Sequence, residues 1–137
     1  MFIFLYRLSR KYRAFNFLLR VLFSCDIARD AKISKSVVFN HKGLGVVIHP
    51  ATVIDENCHI EHHVCCGQRL GDVIEAPHIS KDCVIGAYAI LLGGIKIGEG
   101  SVIGAGSIIT HDVPPHTIVY NNRNTCYKDN YKMLHKY

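Results

Sequence analysis

The chain has 137 residues, a formal net charge of +5 and hydrophobic residues at 49% of its positions. This length suits one domain, and the balance of apolar and charged residues excludes intrinsic disorder. The positive charge is uneven, because five basic residues fall within the first twenty positions while the middle of the chain is close to neutral. The sequence therefore predicts one folded domain with a basic N-terminal segment.

Residues 1–24 are predicted to form an amphipathic helix. Basic residues interrupt the apolar run, so it is shorter than the roughly 20 apolar residues that span a bilayer, and it lacks the pattern of a secretory signal. Packing of the apolar face on the rest of the protein is the favoured interpretation, and attachment to a membrane surface is the alternative. We expect a cytoplasmic protein, at the inner face of the membrane under that alternative. The apolar face, spaced by three and four, comprises Leu5, Leu8, Tyr12, Phe15, Leu19 and Leu22.

A six-residue repeat runs through most of the chain. A period of six fits short strands with alternating faces and tight corners, and it fits no helical spacing. Three strands to a turn of 18 residues predict an all-β solenoid, which we assign to residues 25–118, with residues 119–137 as a C-terminal tail. The fifth residue of most units is small or β-branched. The first residues of the eleven units are Ile27, Ile33, Ile48, Ile54, Ile60, Ile79, Ile85, Leu91, Ile97, Ile103 and Ile109.

Two breaks interrupt the repeat. Residues 40–47 (NHKGLGVV) shift its phase by three, and residues 67–78 (GQRLGDVIEAPH) form a longer insertion. Each turn of a solenoid packs only on its neighbours, so its core accepts an insertion at a corner, and both segments are predicted to be projecting loops. Loops on a rigid scaffold are frequent sites of function.

The six cysteines and nine histidines suggest no metal centre. Several cysteines fall at the small inward position of the repeat, so they are predicted to be buried thiols in a reducing compartment. His59, His62 and His63 cluster with Glu61, but alternation along a strand places His62 on the opposite face from the other three. Because no further ligand completes a tetrahedral site, we predict no metal site.

His41 is the histidine with the clearest chemical context, because it lies in the first loop beside Gly43 and Gly45. Glycines there allow the backbone to approach a ligand closely. Asp26 precedes His41 by 15 residues, close to one solenoid turn, and neighbouring turns are about 4.8 Å apart. We therefore expect Asp26 to reach a ring nitrogen of His41, as the carboxylate that orients a general base. On spacing alone, two unrelated surface residues remain the commoner explanation.

The chain from Asp26 to about His116 resembles the hexapeptide-repeat acyltransferases, and most closely their serine acetyltransferase branch. The resemblance rests on DIARDAKI from residue 26, NHKGLGVVIHP from residue 40 and VIGAYAILLGGIKIGEGSVIGAGSIITHDVPPHT from residue 84. It implies a left-handed β-helix that transfers an acetyl group from acetyl-CoA, a co-substrate used without a metal, to a hydroxyl group. It also implies that His41 is the catalytic base and Asp26 its partner.

The resemblance further implies where the substrates bind. Gly67, Ala87 and Ala105 match positions that contact CoA, and the 18 residues between Ala87 and Ala105 predict that they stack on adjacent turns. Asn40, which replaces an aspartate that usually precedes the catalytic histidine, is a candidate acceptor contact. Members of the family are homotrimers with sites at the seams between subunits, so the same assembly is expected. No nucleic-acid recognition motif accompanies the basic N-terminal segment.

Several residues depart from the serine acetyltransferase pattern. An arginine–histidine pair that recognises the acceptor in the second loop is replaced by Glu75 and Ala76, which cannot hold a carboxylate. The segment that usually follows the last repeat is replaced by YNNRN from Tyr120. These departures favour a sugar hydroxyl in surface polysaccharide synthesis as the acceptor. Serine O-acetyl transfer in cysteine biosynthesis is the first alternative, and a non-catalytic β-helix used for assembly is the second.

Overall fold

A computed structural model describes residues 1–71 and 73–120. The predicted C-terminal tail beyond residue 120, including Cys126, lies outside the described residues. The helices are α1 (Phe2–Lys11), α2 (Arg13–Phe23) and the short 3-10 helix η1 (Asn40–Gly43). The strands are β1 (Asp26–Ile27), β2 (Lys32–Ile33), β3 (Val38–Phe39), β4 (Val47–Ile48), β5 (Val53–Ile54), β6 (His59–Ile60), β7 (Cys65–Gly67), β8 (His78–Ile79), β9 (Val84–Ile85), β10 (Ile90–Leu92), β11 (Lys96–Ile97), β12 (Val102–Ile103), β13 (Ile108–Ile109) and β14 (Ile118–Val119).

The strands form three parallel sheets around one axis. Sheet A contains β1, β4, β7, β10 and β13, sheet B contains β2, β5, β8 and β11, and sheet C contains β3, β6, β9, β12 and β14. Within each sheet, every strand except the last pairs with the strand one turn later, as β9 does with β12 through Ile85 and Ile103. The predicted left-handed parallel β-helix is confirmed, with about four turns. Strand β14 crosses the predicted boundary after residue 118.

The core is a column of branched aliphatic side chains, one from the inward position of nearly every strand. Ile79, Ile85 and Ile103 are fully buried, as are the small polar residues Ser101 and Ser107 at the fifth position of their units. Full burial of an aliphatic side chain of this size contributes about 1.5–3 kcal/mol. The column of inward residues is therefore the main source of stability, and the inward phase of the repeat is as predicted.

The described cysteines pack as small apolar residues. Cys25, Cys58, Cys66 and Cys83 are buried, Cys65 is half-buried, and all five are free thiols. Burial raises the pKa of the Cys25 thiol to about 11, so it stays neutral at physiological pH. The prediction that several cysteines fill inward positions of the repeat is confirmed for the four buried ones, whereas Cys65 lies at the outward position of β7.

The two breaks in the repeat are corners of the β-helix. Asp26 pairs with Val47, 21 positions later, and Cys65 pairs with Ile90, 25 positions later. The turn that follows returns to 18 positions, since Ile90 pairs with Ile108. The extra residues of the first break lie where the chain passes from sheet C to sheet A, and those of the second lie where it passes from sheet A to sheet B. Both predicted loops are confirmed.

The prediction of one continuous N-terminal helix was wrong. Tyr12 has an extended backbone (φ −127°, ψ 125°) that separates α1 from α2. Leu5 and Leu19 are buried against the β-helix, whereas Tyr12 and Leu22 of the predicted face are exposed. A straight helix of 22 residues would be about 33 Å long, longer than the roughly 20 Å wall formed by one six-residue unit. The break lets both helices pack on the first turn. Neither of them is long and apolar enough to cross a membrane.

Candidate active site

The first loop has a left-handed backbone around His41. His41 has φ 49°, in the left-handed region, and Gly43 and Gly45 both have φ 65°. A left-handed conformation costs a non-glycine residue about 1–2 kcal/mol, and the same conformation recurs at other corners of the β-helix, for example at His63 and Tyr88. Phe2 of α1 packs against Gly43 and the ring of His63 against Gly45, each so closely that a Cβ atom would clash. The loop is therefore fixed between α1 and the next corner, while the side chain of His41 is 63% exposed.

His41 lies against two side chains of the next turn. Its Nε2 atom is 3.7 Å from Oε2 of Glu61, and its ring meets that of His62 edge-on at 4.8 Å between centroids. The Nδ2 atom of Asn40 donates a 2.6 Å hydrogen bond to Oε1 of the same Glu61. Asn40 therefore holds the carboxylate of Glu61 in place beside the ring of His41. The Oε2 atom of this carboxylate faces the ring of His41.

Asp26 does not lie beneath His41. The loop's three extra residues lengthen the first turn to 21 positions, so the sheet pairs Asp26 with Val47. Its Oδ2 atom accepts a 2.6 Å hydrogen bond from Nη2 of Arg20 on α2. Within the described part of this single chain, no hydrogen bond or ion pair joins Asp26 to His41. The predicted contact was therefore wrong in its register, and the catalytic role of Asp26 stays a prediction from resemblance.

His41 belongs to a stack of four corners, here called the C–A corner, where the chain passes from sheet C to sheet A. It contains residues 40–46, 61–64, 86–89 and 104–107. The backbone N–H of Tyr88 donates to the carbonyl of His62 at 3.1 Å, which joins two levels of the stack. The rings of His63 and Tyr88 stack at 4.6 Å. A row of aromatic rings therefore extends from His41 over the next two levels of the C–A corner.

The predicted alternation of Glu61, His62 and His63 was wrong. These three residues turn a corner and do not continue the strand β6, which ends at Ile60. As a result Glu61 and His62 both contact His41 instead of pointing to opposite faces. The period-two rule applies only within a strand, and strands of two residues leave little chain to which it applies.

The predicted CoA contacts fall in two places. Ala87 is half-buried and Ala105 exposed on adjacent levels of the C–A corner. The N–H of Gly106 donates a 2.8 Å hydrogen bond to the carbonyl of Ala87, which confirms the predicted stacking. Gly67 instead ends strand β7 and lines a cleft of about 790 Å³ on sheet A, together with Asp26. The predicted site residues therefore divide between the C–A corner and this sheet A cleft.

The second loop offers no cation at the positions where the family pattern has one. Glu75 packs against Gly94, where a Cβ atom would clash with its side chain, and Ala76 has no polar group. The loop therefore provides an acidic side chain at the position where an acceptor carboxylate would need a positive charge. Its tip also exposes three large apolar side chains, those of Leu70, Val73 and Ile74.

Known protein sequences agree with this architecture. Residues 76–111 match the family model described as bacterial transferase hexapeptide (six repeats). Serine acetyltransferase 4 of Arabidopsis thaliana is 37% identical over 123 residues, which cover 86% of this chain and 34% of that protein. The serine acetyltransferase of Escherichia coli (strain K12) is 38% identical over 100 residues, which cover 71% of this chain and 36% of that protein.

Solved structures give the same result. Soybean serine acetyltransferase complexed with serine superposes with a TM-score of 0.77 at 38% identity, covering 91% of this chain and 52% of that one. Serine acetyltransferase from Vibrio cholerae superposes with a TM-score of 0.74 at 34% identity, covering 85% and 46%. The chain spans about a third of the curated relatives and about half of the solved structures that it matches.

The β-helix of six-residue units and the histidine in its first corner loop define a hexapeptide-repeat protein. Its six-residue repeat matches the family model over residues 76–111, and the predicted resemblance of the chain to the serine acetyltransferase branch is confirmed.

Glu61 is the site residue that sequence reasoning missed. It follows Asn40 by 21 positions, the same spacing that separates Asp26 from Val47. The signal was present in the sequence, because a turn that contains a three-residue insertion has 21 residues and not 18. Counting the inserted residues as part of the turn places Glu61 next to Asn40 and His41.

Proposed function

We propose that the protein is an acetyl-CoA-dependent O-acetyltransferase. The observation that carries this proposal is His41, an exposed histidine in the first corner loop with Glu61 3.7 Å from its Nε2 atom. A histidine with a nearby carboxylate is a suitable general base. The scaffold supports the proposal, since the matched relatives are named serine acetyltransferases.

In the proposed reaction, a ring nitrogen of His41 accepts the proton of the acceptor hydroxyl. The hydroxyl oxygen forms a bond to the thioester carbonyl carbon, and the C–S bond breaks when the tetrahedral intermediate collapses. His41 then returns the proton to the CoA thiolate, so the products are the acetyl ester and free CoA. Glu61 stabilises the imidazolium between these steps. No metal takes part.

Acetyl-CoA is proposed to lie along the C–A corner. Levels of the stack are about 4.8 Å apart, with Ala87 two levels and Ala105 three levels from the loop that contains His41. Small side chains there leave space beside the backbone for an extended arm. A linear track therefore leads from Ala105 towards His41.

We propose serine as the acceptor. The matched relatives carry serine in their names, and one matched structure is a complex with serine, so the comparisons favour serine over the sugar predicted from the sequence. A sugar hydroxyl in a surface polysaccharide is the second candidate, and Glu75 and Ala76 favour it, because an acidic side chain repels the carboxylate of serine.

An acceptor assay separates these candidates. Purified protein with acetyl-CoA is expected to release CoA thiol and form O-acetylserine when serine is added, and to give neither with a panel of sugars. A colorimetric thiol reagent follows the rate, and mass spectrometry identifies the product. Turnover on a sugar with none on serine would replace serine by the second candidate. Absence of acetyl transfer to any acceptor would refute the proposed function.

We propose that the protein assembles as a homotrimer with sites at the subunit seams. The predicted site residues divide between the C–A corner and the sheet A cleft in a single chain, and a seam would bring the cleft of one copy to the corner of the next. The outward side of sheet A is apolar and uncovered, with Val47 43% and Ile108 38% exposed. Uncovered apolar surface of this kind favours a subunit interface.

The trimer proposal predicts a mass of three times the chain mass of 15.4 kDa in sedimentation equilibrium. Replacing both Val47 and Ile108 with glutamate is expected to shift the protein to monomers, because each seam would then bury unpaired charges. Lys96→Glu on the outward side of sheet B is the matched control and is expected to leave the mass unchanged. A wild-type protein that sediments as a monomer would contradict the proposal.

We propose that α1 and α2 attach the protein to an anionic membrane surface. Residues 1–25 contain five basic residues and no acidic one, and α1 and α2 leave Phe4 66%, Phe17 68% and Val21 61% exposed. Apolar side chains beside basic ones are typical of helices that lie in the membrane interface. The inner face of a membrane rich in anionic lipid is the proposed location.

Vesicle sedimentation tests this attachment. Binding is expected with phosphatidylglycerol vesicles, weaker binding with phosphatidylcholine vesicles and partial release by salt, since screening weakens the charge attraction. Phe4→Ser with Val21→Ser is expected to abolish binding without changing the oligomer mass. Equal recovery of wild-type and variant in the supernatant would contradict the proposal, and a changed mass would instead assign this face to a contact between copies.

A further inference from the structure

Three metal-ligating side chains meet at the first two levels of the C–A corner. They are His41, Glu61 and His62, and one ligand atom from each lies within 4.8 Å of the others. Among the described residues, no other group of three such donors is this compact. Two imidazoles and one carboxylate are a donor set that binds Zn²⁺ with a fourth position left open. The chemistry of these donors therefore favours a divalent transition metal.

The geometry is close to what a zinc ion requires. Zinc–ligand bonds of about 2.0–2.2 Å in a tetrahedral site place neighbouring ligand atoms roughly 3.3–3.5 Å apart. The Nε2 atom of His41 and Oε2 of Glu61 are 3.7 Å apart, so they need to approach by only a few tenths of an ångström. The side chain of His41 is 63% exposed and can make this adjustment. The ligand atoms of all three residues lie within 4.8 Å of one another, so the widest pair must close by up to about 1.3 Å through rotation of the side chains.

The neighbours of the triad support a ligand. Asn40 donates to Oε1 of Glu61 at 2.6 Å and leaves Oε2 directed towards His41; a hydrogen bond that orients a ligating carboxylate in this way is typical of metal sites. The Nδ1 atom of His62 is buried and has no hydrogen-bond partner. An unsatisfied buried polar atom is costly, and an ion coordinated through this nitrogen would satisfy it.

We propose that His41, Glu61 and His62 bind Zn²⁺ and that the bound ion reversibly inhibits acetyl transfer. The ion takes the lone pair of the ring nitrogen that His41 offers, so the histidine cannot accept the proton of the acceptor hydroxyl. The zinc is an inhibitor and not a cofactor of the reaction. The zinc-binding claim depends only on the three residues, whereas the inhibition claim rests on the proposed function.

Zinc binding is measured first, without substrates. Untagged full-length protein, freed of metal by a chelator, is titrated with ZnCl₂ in competition with a chromophoric zinc chelator. One tight equivalent per chain is expected, with no comparable binding of MgCl₂, because imidazole ligands suit zinc and not magnesium. Glu61→Gln and His62→Asn are each expected to weaken this equivalent at least about tenfold, the lower bound for the loss of a residue that supports a metal site.

A control histidine and an activity readout complete the test. His78 pairs with Asp55 at 2.9 Å but has no third donor among residues 1–71 and 73–120, so His78→Asn is expected to leave zinc affinity unchanged. Micromolar zinc is expected to inhibit acetyl transfer by wild-type protein, with full recovery on adding chelator, and the two site variants should resist it to the degree that they lose affinity.

The possible results of these experiments distinguish the zinc site from the inhibition of acetyl transfer. Unchanged zinc affinity in both site variants, each folded by circular dichroism, would overturn the site. Tight binding at the triad with unchanged or increased activity would overturn the inhibition. If no acetyl transfer is found with any acceptor, the proposed function and the inhibition both fail, while the titration still decides the site.

Discussion

Replacing His41 with asparagine is expected to lower kcat for acetyl transfer by about 10²–10⁴-fold, the usual contribution of a positioned general base. Asparagine removes the ring nitrogen that accepts the proton. It also tolerates the left-handed backbone (φ 49°) that this position requires, so the loop is expected to keep its shape. The measurement is the rate of CoA release at saturating substrates, with circular dichroism and thermal unfolding as checks on the fold.

His59→Asn is the matched control for this substitution. His59 lies on strand β6 at the outward position, in the turn next to His41 but outside the corner. Its replacement is expected to leave kcat unchanged. A His41→Asn protein that is folded and keeps kcat close to the wild-type value would show that the proton is removed by another group.

Replacing Ala105 with tryptophan is expected to raise the KM for acetyl-CoA at least about tenfold, which corresponds to roughly 1.4 kcal/mol. The indole would occupy the track proposed for the CoA arm at the far end of the C–A corner. Ala105 is exposed, so the larger side chain does not enter the core and the fold is expected to be retained. Initial rates over a range of acetyl-CoA concentrations, at saturating acceptor, give the KM and kcat separately.

Lys96→Trp provides the comparison, because Lys96 is exposed on the outward side of sheet B and lies outside the C–A corner. It is expected to leave both constants unchanged. If Ala105→Trp lowers kcat while the KM for acetyl-CoA stays constant, the arm does not follow this corner. Equal effects of the two tryptophans would indicate a general disturbance of the fold.

The β-helix could be predicted from the sequence because its period is local. Each unit places one branched residue inwards, as Ile85 and Ile103 do, and this choice does not depend on distant parts of the chain. The insertions were also visible, since each one breaks the phase. The contacts that the inserted loops make could not be predicted, because these contacts depend on how the following turn stacks.

The contacts of His41 show this limit. A turn of 18 residues places Asp26 near His41, whereas the actual turn of 21 places Glu61 there and pairs Asp26 with Val47. The three inserted residues change which side chain lies beside His41, because the strands resume their pairing only after the loop. The metal-ligating group escaped notice for the same reason, since two of its members come from one corner and the third from another.

The N-terminal segment shows a second limit. The spacing of Leu5 and Leu19 indicates helix correctly, but the break at Tyr12 has no proline or glycine to signal it. The break lets α1 and α2 both pack on the first turn of the β-helix. Tertiary packing overrides the helical preference of a residue such as Tyr12. A single sequence does not give the shape of the surface on which the helices pack.

The structure of the protein bound to CoA tests the central claim most directly. We predict that the pantetheine arm lies along the C–A corner against Ala87 and Ala105, at a seam between two copies, with the thiol sulfur beside His41. Close approach of the thiol to the histidine is required, because reacting groups must come within about 3–3.5 Å. CoA bound away from His41, or no bound CoA at saturating concentration, would contradict the assignment of this β-helix as an acetyltransferase.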